Sequence, residues 1–278
     1  MTSELRRVRA NHLDIAYFEY GEGPLVVLVH GFPDTAMTWQ ALGPRIADLG
    51  YRVVAPYLRG YHPTSQPDRD TTIVDLGDDV RGLMDALDAP QAVLVGHDWG
   101  ASAVMMAAAT APERVVGLGL LAIPHPAALT PSLTSLWRAR HFITLTLPGA
   151  ERRFARRDLS GIDTLLRRWA PNWTPSEDEL ADVRRCFREP GALHAALGYY
   201  RAFSFRVPDR LKAKLPMPTV AIAGLEDIVE VTAFERSRRG FSGDFQVREY
   251  PCGHFPHRER PDDVFQALSE LLSKSKFD

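Results

Sequence analysis

Val93-Leu94-Val95-Gly96-His97-Asp98-Trp99-Gly100 decides how the rest of the chain is read. An apolar run that begins near Gln91 stops at a glycine, a histidine, an aspartate and a tryptophan follow, and a second glycine closes the turn. Short runs that are apolar at every position mark strands buried on both faces of a parallel sheet. The segment Ala101 to Thr110 is built of small residues and methionine and predicts a helix lying close on that sheet. Asp98 is therefore expected at the carboxyl end of a strand and the amino end of a helix, whose dipole favours its negative charge.

The same signature recurs on both sides. Leu25 to Val29 leads into His30-Gly31-Phe32-Pro33, and Tyr51 to Pro56, Val115 to Ile123, Thr219 to Gly224 and Phe245 to Tyr250 read as further strands. Helices are expected from Trp39 to Leu49, from Ile73 to Leu87 with Val80, Leu83, Met84 and Leu87 on one face, and from about Asp262 to Leu272. Leu5–Ala10 and Leu13–Tyr20 read as antiparallel strands around Asn11-His12. This alternation implies βαβ units and a mostly parallel, doubly wound α/β sheet. It breaks between about His125 and Leu211, a stretch with helical patterning and no buried-strand run. The expected organisation is a core from residues 1–124 and 212–278, with residues 125–211 inserted as a helical cap over the strand ends.

Composition bounds the function. The 278 residues are 45% hydrophobic and 24% charged with a formal net charge of -2, which suits a soluble globular chain and gives no basic footprint for a nucleic-acid or membrane-surface partner. The arginine runs at 151–157, 167–168 and 184–185 are interleaved with apolar residues and read as solvated faces of amphipathic helices. Cys186 and Cys252 are the only cysteines and lack metal-ligand spacing, so neither a disulfide scaffold nor a zinc site is expected. The first residues carry no continuous apolar core of a signal peptide, and a cytoplasmic location is expected. Self-association into a homo-oligomer stays open.

Open parallel sheets bind ligands at the carboxyl ends of their strands. Four polar features fall there: His30-Gly31-Phe32-Pro33, Asp98, Asp227 and His254. Gly96 and Gly100 flank Asp98 as the small residues of a nucleophile elbow do. An aspartate in that place is also a common helix N-cap, and the partners separate the two readings. Asp227 follows Gly224-Leu225-Glu226, and His254 lies in Pro251-Cys252-Gly253-His254-Phe255, each just past a strand. The order Asp98, Asp227, His254 is nucleophile, acid, base in α/β-hydrolases. Glu226 and Glu230 are alternative acids, and His257 an alternative base.

The motifs HGFP at 30–33, GHDWG at 96–100, GLED at 224–227 and GHFPHRERP at 253–261 resemble the epoxide hydrolase branch of the α/β-hydrolase superfamily. The likeness runs through the cap. Leu197-Gly198-Tyr199-Tyr200-Arg201 resembles the aromatic-Tyr-Arg motif of these enzymes and implies Tyr200 as a ring-opening residue. Leu147-Pro148-Gly149-Ala150-Glu151 resembles the segment after the second ring-opening residue, usually tyrosine, and places His141 at that position. The resemblance implies an α/β-hydrolase fold, a small-molecule epoxide substrate and no cofactor or metal ion.

Elementary chemistry supports it. A carboxylate is ionised at neutral pH and attacks without a base. Its attack on saturated carbon gives an ester that water can cleave, whereas serine would give an inert ether. His254, oriented by Asp227, would activate that water, with the backbone N–H groups of Phe32 and Trp99 as the oxyanion hole. Trp99, Phe32 and Tyr199 are also expected to line the substrate pocket. An alkoxide leaving group needs strong donors, which Tyr200 and His141 supply, whereas a halide needs only weak ones. Haloalkane dehalogenases usually carry Asn where Phe32 stands, and fluoroacetate dehalogenases usually Arg where Trp99 stands. A dehalogenase with the same nucleophile remains the alternative, followed by a non-catalytic binding protein. Tyr199, Tyr200 and His141 also have bland readings as cap-packing residues, His30 and His97 are read as structural, and His125 has no assigned role.

Overall fold

The computed structural model describes residues 4–128, 137–204 and 206–277. Eight strands form one sheet: β1 Leu5–Ala10, β2 Leu13–Tyr20, β3 Leu25–Val29, β4 Arg52–Pro56, β5 Ala92–His97, β6 Val115–Leu121, β7 Thr219–Gly224 and β8 Phe245–Tyr250. Their spatial order is β1-β2-β4-β3-β5-β6-β7-β8. β1 pairs antiparallel with β2, and β2 with β4; all other pairs are parallel. Asn11 and His12 take positive φ at the first hairpin, the turn geometry that short hairpins favour.

The core helices are α1 Gly43–Ala47, α2 Ile73–Ala86 and α3 Trp99–Thr110. The helix expected from Trp39 to Leu49 is a 3-10 turn over Ala36–Trp39 followed by the short α1, because Gly43-Pro44 interrupts the pattern. α2 starts on a capping box between Thr72 and Asp75. α3 is buried at Ala101, Ala103, Val104, Met105, Met106, Ala107 and Ala108, which follows from its place between the sheet and α2.

Between β6 and β7 the described residues add α4 His141–Thr146, α5 Ala150–Trp169, α6 Glu177–Arg188 and α7 Ala192–Arg201, and no strand. α5 is broken at Arg156–Leu159, where Arg157, Asp158 and Leu159 have positive φ. Arg188 pairs with the Asp158 carboxylate and Arg184 donates to the Asp158 carbonyl, so α6 holds the break. Arg184 is thus buried rather than on a solvated face. α8 Val231–Ser237, α9 Pro256–Glu259 and α10 Pro261–Lys274 complete the chain, with α10 packed on β6, β7 and α1.

The sheet order fixes where a site can form. β3 lies between β4 and β5, so the connections leaving β3 and β5 run to opposite sides. A crevice opens at such a switch point. The segments following Val29 and His97 flank it, since Val29 and Gly96 are register partners.

Candidate active site

Asp98 sits at the tip of the turn between β5 and α3 with φ 52° and ψ −118°, a conformation that costs of order 1–3 kcal/mol in a residue with a side chain. The glycines make it attainable. A Cβ on Gly96 would lie 2.2 Å from the Gly100 carbonyl oxygen, and one on Gly100 2.2 Å from that of Val29. A Cβ on Gly31 would lie 2.4 Å from the Asp98 Cβ. The backbone after β3 thus runs directly against the aspartate, and the Phe32 N–H donates to Asp98 Oδ1 at 2.8 Å. Trp99 opens α3, so its N–H is one of the donors that a helix leaves unbonded at its amino end.

The second carboxylate oxygen faces the imidazole. Asp98 Oδ2 lies 3.4 Å from His254 Nε2, and His254 Nδ1 lies 2.9 Å from both oxygens of Asp227. Glu226, Glu230 and His257 hold no place in this chain of contacts; His257 turns to Thr38. Asp227 is further fixed by the Ile228 N–H at 2.5 Å. His254 is 2% exposed. Burial disfavours its charged form, but Asp227 and Asp98 outweigh burial and raise its pKa to about 10.

The loop carrying His254 is held from three directions. Its N–H donates to the Trp169 carbonyl at 2.8 Å, and its carbonyl accepts from His97 Nε2 at 2.8 Å. Glu259 accepts from the N–H groups of Gly253 and Phe255, at 2.8 and 3.0 Å. Glu259 went unnoticed in the sequence, although its position five residues past the histidine, at the end of a one-turn helix, was a readable sign. His30 braces the neighbouring loop: its Nδ1–H donates to the Gly31 carbonyl and its Nε2 accepts from the Leu58 N–H, and burial lowers its pKa to about 4. His125 accepts from the Ala127 N–H, away from this centre.

Above Asp98 lies an aromatic cage. Tyr200 is 3% exposed, with its ring 5.3 Å from Phe32, 5.2 Å from Trp99 and 5.1 Å from Phe142 between centroids. Its neighbours hold α7 to the core: the Tyr199 hydroxyl donates to the Arg59 carbonyl at 2.7 Å, and Arg201 forms a fork with Asp70. What Tyr199 offers the pocket is a ring edge against Trp99. Among the described residues the Tyr200 hydroxyl has no well-formed hydrogen bond. Burial, then the Asp98 charge, push its pKa well above the ordinary value, so the phenol keeps its proton. His141 and Trp169 close the cage, with ring centroids 4.8 Å apart; His141 Nδ1 and Trp169 Nε1 also lack a well-formed hydrogen bond among the described residues. Burial lowers the His141 pKa to about 3, so this imidazole is neutral.

With this geometry in hand, comparison with known proteins decides the family. The α/β-hydrolase fold model matches residues 24–261. Epoxide hydrolase A of Mycobacterium tuberculosis is 31% identical over 96% of this chain and 97% of its own. The chain belongs to the epoxide hydrolase family. An AB hydrolase superfamily protein of Bacillus subtilis, YfhM, is 30% identical over 90% of this chain and 91% of its own. The crystal structure of epoxide hydrolase A from Mycobacterium thermoresistibile superposes with a TM-score of 0.86 at 26% identity, covering all of both chains. The chain is a hydrolase of the epoxide hydrolase type with an α/β-hydrolase fold, as the motifs implied. Among the described residues no helix is long and apolar enough to cross a membrane.

Proposed function

We propose that the protein converts an epoxide and water to a vicinal diol through an ester on Asp98, without a cofactor. The observation that carries this reading is the division of the Asp98 carboxylate: Oδ1 is tied to the Phe32 N–H, while Oδ2 is turned to His254. Oδ2 attacks a ring carbon, the C–O bond of the epoxide breaks, and the departing alkoxide receives hydrogen bonds from Tyr200 and His141 and its proton through Tyr200. Oδ1 becomes the ester carbonyl, already against the N–H that will hold the oxyanion, with the Trp99 N–H as second donor.

Ester formation also prepares the next step. Two carboxylates hold His254 protonated in the free protein. Alkylation removes the charge of one, so the imidazole gives up its proton, which replaces the one that Tyr200 passed to the alkoxide, and the neutral ring can then take a proton from water. Water then attacks the ester carbonyl carbon, the tetrahedral intermediate collapses by breaking the bond from that carbon to Oδ2, and His254 returns the proton to Oδ2, which leaves as a hydroxyl of the diol while the oxygen of water stays in the Asp98 carboxylate. In this reading residues 125–211 are the cap and 1–124 with 212–278 the core. The free, buried thiols of Cys186 and Cys252 fit a reducing cytoplasm.

A His254→Gln variant incubated with styrene-type, aliphatic and bulky epoxides should gain the mass of one epoxide on the peptide containing Asp98, and Asp98→Asn should gain nothing. No adduct with any of them defeats the reading. The unpartnered Trp169 indole N–H is a weak donor suited to a halide and keeps a dehalogenase as the second reading. Halide release from haloalkanes or haloacetates, with no diol from epoxides, would install it.

A further inference from the structure

Behind His254, on the side away from the cage, three buried side chains from distant parts of the chain converge. One carboxylate oxygen of Asp34 and one ring nitrogen from each of His97 and His257 lie within 4.8 Å of one another. All three residues are at least 97% buried, and among the described residues Asp34 Oδ2, His97 Nδ1 and His257 Nδ1 have no hydrogen-bond partner. From these contacts we propose that Asp34, His97 and His257 form a binding site for a zinc-class divalent metal ion, separate from the catalytic centre.

The hydrogen bonds around the cluster say which atoms are available. His97 Nε2 faces the His254 carbonyl and must carry the ring proton to bond it, so Nδ1 holds a lone pair. Asp34 Oδ1 accepts from the Thr35 N–H and lies 3.7 Å from Arg258, which leaves Oδ2 facing His257 Nε2 at 3.8 Å. His257 Nε2 meets the Thr38 hydroxyl at 2.6 Å, and a hydrogen bond of this kind on one ring nitrogen orients the imidazole and sets which nitrogen binds an ion. Two imidazoles and one carboxylate are the donor set that zinc accepts with water in the fourth position. Donor atoms around a tetrahedral zinc ion sit about 3.4 Å apart, so the cluster closes by no more than about 1.4 Å on binding.

The protonation states fit as well. Burial is the largest influence on all three; it lowers both histidines, while Arg258 and His257 hold the Asp34 carboxyl below its ordinary range against it. Neutral imidazoles and an ionised carboxylate are the forms a metal requires. There is also an entry. A cavity of about 120 Å³ runs from Asp34, Thr38 and His257 out to Asp178, Glu179 and Asp182 on α6, an acidic opening that favours a cation. Arg258 beside Asp34 is the one opposing charge at the cluster.

No metal site is expected from the sequence, because these ligands are scattered along the chain and only the fold unites them. The site does not rest on the hydrolase reading, and its test does not use activity. Wild-type protein, stripped with chelator, is titrated with Co²⁺ and with Zn²⁺. The expected result is one Co²⁺ per chain with the strong visible d–d bands of a tetrahedral complex, displaced by Zn²⁺, and a Zn²⁺-dependent rise in Tm. His257→Gln and Asp34→Asn, checked for native circular dichroism, should each weaken binding at least tenfold. Absence of saturable binding, or bands unchanged in both variants, overturns the proposal. Should neither variant fold, zinc-soaked wild-type crystals decide: an anomalous peak between the three residues supports it, and water alone there refutes it.

Discussion

The two halves of the site are built on opposite terms. On the core side every polar atom that the proposed chemistry uses is already held: Asp98 Oδ1 by the Phe32 N–H, His254 by Asp227, and the His254 loop by Trp169, His97 and Glu259. On the cap side the Tyr200 hydroxyl, His141 Nδ1 and Trp169 Nε1 are buried with no well-formed hydrogen bond among the described residues. A buried polar atom without a partner costs about 1–3 kcal/mol, a cost that an oxygen bound in the cage can relieve. The lower half is organised for a charge it carries at rest, the upper half for one that arises only as a bond breaks.

That contrast predicts unequal losses. Asp227→Asn should be the most severe among the orienting residues, with turnover lower by about 10³- to 10⁴-fold, since the amide favours the wrong tautomer of His254. The decline should fall on ester hydrolysis, so a pre-steady-state burst of alkylation should persist while the steady state collapses. If both phases slow equally, the core side is not acting through His254.

Tyr200→Phe should reduce the alkylation phase about 100-fold and leave hydrolysis of the ester unchanged. His141→Gln should have a smaller effect on the same phase, about tenfold, and the double variant should exceed either alone. Because burial holds the His141 pKa near 3, its removal should leave the pH profile of activity unmoved. Stability is another matter. The folded value lies below the unfolded value of about 6.5, so the native state binds fewer protons, and stability present above pH 6.5 is lost as pH falls through that value towards 3. His30 and His125, both lowered to about 4 by burial, act in the same direction. The Tm of the wild type should therefore drop on acidification, and that of His141→Gln should drop less.

How much of this was legible follows the same division. The strands around Asp98 could be read because β3, β5 and β7 are buried at every position, and such strands show as unbroken apolar runs. Asp98 and Asp227 could be placed because each follows such a run, and His254 because it lies in a turn just past the mixed strand β8, whose end gathers with theirs at one edge of the sheet. Tyr200 and His141 were found through motif likeness alone, since nothing in a helical pattern tells which way one aromatic faces. The structure supplies that: the attachments of Tyr199 to Arg59 and Arg201 to Asp70 orient α7. Such contacts join residues 131 or more positions apart and leave no local trace. The break in α5 was hidden too, because its residues are ordinary helix formers held in left-handed conformations by Arg184 and Arg188.

Glu259 offers the finest division between the halves. Its two oxygens hold the N–H groups on either side of His254, so it touches neither substrate nor reacting atoms and can act only by positioning. Glutamine keeps the shape but has one acceptor oxygen, so one of the two N–H groups loses its partner. Hydrogen bonds to charged groups are worth about 1.5–3 kcal/mol, most of which should appear as a lower Tm. The kinetic effect should be modest, about three- to tenfold on kcat, and confined to ester hydrolysis, with the alkylation phase intact. A merely structural glutamate would lower Tm and leave the ratio of the two phases alone. A change in that ratio for Glu259→Gln, with none for Tyr200→Phe in the hydrolytic phase, would show that the lower half works by holding one imidazole still.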